Sequence, residues 1–211
     1  SAIPYSVITN RKKYADFAKT MFAQGHAALS SQDPETEEIL LTRRWSGMLE
    51  KSEHDYLGFV VTQNSSPHAA RHLEKKISYF IVPDSSGAGF TSRATIIFSA
   101  KGENGSSAPA FAGYVQLVIP AGNRLLDAAR NSRPMVLHDH GIVDSARKEW
   151  YGFPLVLMPG EAATFSFRFS LPRPLLEEMA KGTYELFVQK QMGEQELDFS
   201  ADLFFGEKTL R

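Results

Sequence analysis

The chain has 211 residues and a mass of 23.5 kDa, a length that admits one large domain or two small ones and needs no covalent staple. It contains no Cys, which excludes thiol nucleophiles, disulfide scaffolds, iron–sulfur clusters and Cys-ligated zinc. With 23 Lys and Arg against 24 Asp and Glu, the formal charge of −1 gives no general attraction to nucleic acid or an anionic membrane, and no run of about 18 apolar residues marks a membrane span.

The chain opens Ser-Ala-Ile-Pro without a signal peptide, as expected of a mature form or an excised fragment. Apolar residues at Tyr14, Phe17, Ala18, Met21, Phe22, Ala28 and Leu29 follow the spacing of one helical face, which predicts a helix from a cap at Asn10 to about Leu29. A second helix is expected from Asp33-Pro34 to about Arg43, with Pro at its first position and Glu35, Glu37 and Glu38 near the positive end of its dipole. After Trp45 the period changes to 2. Strands are expected on Leu73 to Ile81, Arg93 to Ser99, Val115 to Ile119 and Tyr151 to Leu157. The clearest alternation is Phe165, Phe167, Phe169 and Leu171 against Thr164, Ser166, Arg168 and Ser170, one buried face against one wet face. Tyr184, Leu186 and Val188 predict a further strand, and Leu197 to Phe205 the last. Gly87-Ala88-Gly89 and the Gly, Ser and Asn cluster from Ala100 to Pro109 read as turns and a surface loop. A short helix from Pro174 to Lys181, stopped by Gly182, interrupts the strands. The fold class expected is mainly β, α+β overall: an antiparallel β-sandwich of eight or nine strands over residues 46–211, preceded by a helical segment over residues 1–45.

Few motifs carry chemistry. His138-Asp139-His140 has metal-ligand residue types, but in a strand the two imidazoles share a face and Asp139 points away, with no third His nearby. His68 and His72 are spaced H-x-x-x-H, yet Ala69 stands where a metalloprotease needs Glu. No phosphate-binding Gly loop and no Gly-x-Ser-x-Gly elbow are present. Gln189 and Gln191 share one face of a strand, with Lys190 on the other. The candidate binding residues are therefore His138, Asp139, His140, Gln189 and Gln191. No catalytic residue, metal or cofactor is expected.

Taken in order, Trp45-Ser46-Gly47-Met48-Leu49, Asp55-Tyr56-Leu57, Val60-Val61, Asn64 and Lys76-Ile77-Ser78-Tyr79, then Tyr114 to Leu117, Pro120-x-Gly122-x-x-Leu125-Leu126, Gly152-Phe153, Pro159-Gly160-Glu161, Phe167, Leu171-Pro172, Gly182-Thr183-Tyr184 and Val188-Gln189-Lys190-Gln191-x-Gly193, the sequence resembles the C-terminal portion of the bacterial family of domain of unknown function 4012. That resemblance, from about residue 40 to the end, implies a cell-envelope protein anchored near its N-terminus with the rest outside the cytoplasm. The family's longer N-terminal part is distantly similar to the LytR-CpsA-Psr phosphotransferases, and only its last helix, Arg11 to Ser30, has a counterpart here. No catalytic residue carries over. The expected function is a non-catalytic extracytoplasmic binding or support module, whose partner is an envelope polymer or a preceding domain of the same protein. The alternative is an enzyme domain for glycopolymer transfer or metal-assisted hydrolysis, with His138, Asp139 and His140 as its leading residues.

Overall fold

Alternation of large apolar with polar residues dominates the sequence beyond residue 50, and the computed structural model turns it into two packed sheets. The structure describes residues 11–24, 27–43, 45–65, 69, 71–84, 89–102, 109–191, 194, 197–205 and 208–210. The cap expected at Asn10, His68, Gly87-Ala88 and most of the loop between Ala100 and Pro109 lie outside them. The chain divides into two units, Ser1–Glu50 with Lys190–Glu196, and Lys51–Gln189 with Leu197–Arg211.

In the first unit, α1 spans Arg11–Ala23 and α2 spans Pro34–Thr42. Helix α2 starts as its sequence requires: the Asp33 carboxylate accepts from the Thr36 amide at 2.9 Å and the Thr36 hydroxyl at 2.6 Å, which satisfies one orphan donor of the first turn. Helix α1 is shorter than its apolar spacing predicts. It ends at Ala23, and Leu29 forms an isolated parallel bridge with Ser46. The Phe22 ring stacks on Trp45 at 5.0 Å, and the Arg43 guanidinium lies 5.2 Å from the Trp45 ring.

The second unit is the sandwich. Its strands are β1 Asp55–Gln63, β2 Leu73–Pro83, β3 Phe90–Ala100, β4 Phe111–Pro120, β5 Arg124–Arg130, β6 Arg133–Pro134, β7 Asp139–Val143, β8 Lys148–Leu157, β9 Ala162–Ser170, β10 Leu186–Gln189, β11 Asp198–Phe205 and β12 Lys208–Leu210, with α3 on Arg173–Ala180. One sheet has the order β10-β1-β4-β8-β7 and the other β12-β11-β2-β3-β9-β5-β6. The core lies between them, where Ile77, Tyr79 and Ile81 meet Val115, Leu117 and Ile119, Phe153, Leu155 and Leu157, and Phe165, Phe167 and Phe169. The three Phe side chains of β9 are fully buried.

The sheets depart from the expected pattern in three respects. Both are mixed, because β10 runs parallel to β1 and β11 parallel to β2; alternation reports a buried face and carries no sign of strand direction. Twelve strands are present among the described residues, more than the eight or nine expected; β5, β6 and β7 lie at or next to a sheet margin with half-buried and exposed residues that impose little pattern, and β12 is a three-residue edge strand. Tyr184 precedes β10, and the strand ends at Gln189.

Candidate functional site

The five predicted residues do not form one site. His138 is exposed and precedes β7, its amide donating to the Gly152 carbonyl at 3.0 Å. Asp139 and His140 are neighbours in β7 and point to opposite faces of the sheet. The His140 ring stacks on Tyr151 at 4.7 Å, with Nε2 3.5 Å from Glu149 Oε2. Glu149 also accepts from the Tyr151 hydroxyl at 3.2 Å and from the Gly122 amide at 2.9 Å, so His140 joins a clamp between the sheet margin and the β4–β5 turn. Burial first, and then the Glu149 charge, push the Tyr151 hydroxyl up to about 12. Gln189 ends β10 and accepts from the Tyr56 hydroxyl. Gln191 lies beyond the strand, its amide donating to Glu194 at 3.1 Å; it does not share a strand face with Gln189. Lys190 donates to the carbonyls of Gln24 at 2.9 Å and Glu194 at 2.5 Å. Among the described residues, no three His, Asp or Glu side chains converge as metal ligands would.

A buried polar cluster stands where the sequence shows only core positions. Asp55, the first residue of β1, is fully buried. Its Oδ2 accepts from the hydroxyls of Tyr79 at 2.6 Å and Tyr184 at 2.5 Å, and its Oδ1 from the Tyr56 amide at 2.9 Å. Tyr79 belongs to the opposite sheet, so one carboxylate ties β1, β2 and the segment before β10 together. Lys148, also fully buried, sets its ammonium 4.4 Å from the Tyr56 ring centre and donates to the Ser52 carbonyl at 3.3 Å. Burial raises the Asp55 carboxyl above its ordinary value against the opposing pull of the Tyr184 and Tyr79 hydroxyls, the Tyr56 amide and the Lys148 charge. Burial likewise lowers Lys148, which Asp55 opposes, and pushes both Tyr79 and Tyr184 far up. Each group is spent on another within the core.

The outer face of the five-stranded sheet has a different character. Register places Thr62, Tyr114 and Pro154 in one row, Val60, Gln116, Gly152 and Asp139 in the next, and Gly58, Val118, Trp150 and Gly141 in a third. Two glycines of this face carry an aromatic ring from a neighbouring strand. The Tyr114 phenol crosses Gly152, where an added Cβ would lie 2.2 Å from its oxygen and 2.7 Å from its ring, and reaches Asp139 on β7 through a hydrogen bond. Tethered on β4 at one end and to β7 at the other, that ring lies flat along the sheet. The Trp150 indole lies over Gly141, with Nε1 2.5 Å from where a Cβ would stand. Both rings are half-buried, and Asp139, Thr62 and Pro154 are exposed. In the third row Gly58 and Val118 are buried, while Trp150 and Gly141 toward the β7 margin stay half-buried; the row through Tyr114 and Pro154 is open. Asp139 was legible as a candidate, and the glycines opposite the rings were not, because register alone brings them under Tyr114 and Trp150.

No family model and no curated protein matches the chain. Among solved structures, a Legionella pneumophila protein provisionally described as nutrient-binding is similar to it at 9% identity, with a TM-score of 0.33 over 55% of this chain and 43% of that one. The chain spans less than half of that protein's length, and the likeness is too slight to bear on either fold or function.

Proposed function

We propose that the chain is a non-catalytic extracytoplasmic β-sandwich module of a bacterial cell-envelope protein, anchored to the membrane in its full-length form, which binds or supports an envelope polymer or a neighbouring domain. The observation that carries this reading is the contrast between the two polar regions of the sandwich. Asp55, Lys148, Tyr79 and Tyr184, whose acidities burial displaces, are buried or partly buried and committed to groups within the sandwich, where their work is to hold the sheets. The open end of the five-stranded sheet instead presents aromatic rings, an amide and a carboxylate at the surface, the composition of a recognition face. The resemblance to the family of domain of unknown function 4012 supports the envelope location.

Co-sedimentation of the chain with purified bacterial envelope fragments tests the binding. Depletion of the chain from the supernatant is expected, and full recovery of soluble chain would overturn it. Fractionation of cells that express the full-length protein tests the location. Recovery with the membranes and digestion by protease added outside the cell are expected, and a protease-protected cytosolic pool would overturn it.

A further inference from the structure

We infer that the Trp150 and Tyr114 rings form a stacking platform for a neutral glycan, a conclusion that rests on the binding-module reading and names its ligand class. The first ground is geometry. Gly152 and Gly141 occupy diagonal positions on the β7–β8 pair, which puts their centres about 7–8 Å apart. A ring lies over each, filling the space a side chain would take. The sheet backs one face of the Tyr114 ring, leaving the other directed outward. A pyranose has one face made of C–H groups, which packs on the electron-rich face of an aromatic ring and removes apolar surface from water.

The second ground is polarity. The Tyr114 hydroxyl is engaged with Asp139, so the rim of the platform offers the exposed Asp139 carboxylate as an acceptor, with the Gln116 amide in the same row and the Thr62 hydroxyl in the adjoining one. A ligand rich in hydroxyl donors matches that rim. A phosphate-bearing polymer does not: across the five strands of this face, the outward positions hold one cation, Lys148, which is fully buried and faces Tyr56, whereas Asp139 is exposed and negative. A polyanion would meet repulsion with no compensating charge. A proline-rich peptide also stacks on aromatic rings, but it has no hydroxyl donors to offer the Asp139 carboxylate, and the Tyr114 hydroxyl that would meet one of its carbonyls is already engaged.

Calorimetric titration of the full chain decides the matter, with chitohexaose, cellohexaose and mannohexaose as neutral glycans, polyglycerol phosphate as the anionic polymer and decaproline as the peptide. At least one neutral glycan should bind, with Trp150→Ala weakening it by about tenfold or more, as loss of a central aromatic anchor does. Trp150→Phe, which keeps a ring, should retain most of the affinity, and Asp139→Asn should weaken binding severalfold. Far-ultraviolet circular dichroism shows whether each variant is folded. If Trp150→Ala fails to fold, Asp139→Asn and Trp150→Phe decide alone. Absence of binding across the neutral glycans, or tighter binding of polyglycerol phosphate or decaproline, would overturn the platform. Co-sedimentation with envelope fragments that survives Trp150→Ala would overturn the platform and leave the module reading standing, whereas a parent chain that fails to co-sediment removes the module reading itself.

Discussion

Asp55 shows how much a single buried carboxylate can organise. Replacing it with Ala leaves the Tyr79 and Tyr184 hydroxyls without their acceptor and Lys148 without its counter-charge, so Asp55→Ala should cost about 3–5 kcal/mol in denaturant unfolding. Tyr184→Phe removes one hydroxyl and should cost only about 1–1.5 kcal/mol. The pH dependence follows from the direction of the Asp55 shift. Because burial raises its pKa in the folded chain, the folded state binds that proton more tightly than the unfolded state does. The associated stability is full below the ordinary carboxylate value near ~3.9 and is lost as pH rises through the folded value. The thermal midpoint of the parent minus that of Asp55→Asn, which cannot ionise, should therefore fall as pH is raised from about 4 to about 7; a difference that grows would mean that the hydroxyls and Lys148 outweigh burial. Tyr114 gives a second residue-scale prediction. Burial and then Asp139 push its hydroxyl up to about 12, and Gly152→Ala would drive a Cβ into its ring. Titration of Tyr114 followed by nuclear magnetic resonance should drop toward the ordinary value of about 10 in Gly152→Ala and in Asp139→Asn.

At the scale of elements, strand β9 was the most legible segment and β10 among the least. In β9, Phe165, Phe167 and Phe169 alternate with four polar residues and are fully buried, with Leu171 buried just beyond the strand. Phe167→Ala should therefore cost about 3–5 kcal/mol by opening a cavity beside Phe153, and a loss below about 1 kcal/mol would show that the register is wrong. On the wet face of the same strand, Arg168 meets Asp127 of β5 at 2.6 Å, with both side chains about half exposed. Solvent screens such a pair, and Asp127→Ala should cost no more than about 1 kcal/mol. Strand β10 is only four residues long and half-buried throughout; its period could not show that the strand would stop before Gln191 or lie parallel to β1. Strands β5 and β7 were missed for a related reason. They stand at or next to the margins of their sheets, β7 with β8 alone beside it and β5 covered on its outer side only by the two-residue β6, and their half-buried and exposed residues leave no strict alternation to read.

For the molecule as a whole, closure depends on its last residues. Strand β10 flanks β1 and strand β11 flanks β2, so both sheets complete one side with chain made more than a hundred residues after their first strands. A chain ending at Glu185 would leave the edges of β1 and β2 bare. It should lose the cooperative unfolding transition and become susceptible to limited proteolysis, and a truncated chain with a sharp transition would show that the parallel strands are dispensable. Composition and periodicity determined the class of fold, the mainly β character beyond residue 50, the buried faces of β2, β3, β4, β8 and β9, and both short helices that begin at Pro34 and near Pro174, because each follows from burial or capping within a few residues of chain. Strand direction, sheet order, the Asp55 cluster, and the rings of Tyr114 and Trp150 over Gly152 and Gly141 were decided by tertiary structure. They arise from register between strands that the sequence holds far apart, and no local pattern records which residue will lie opposite which.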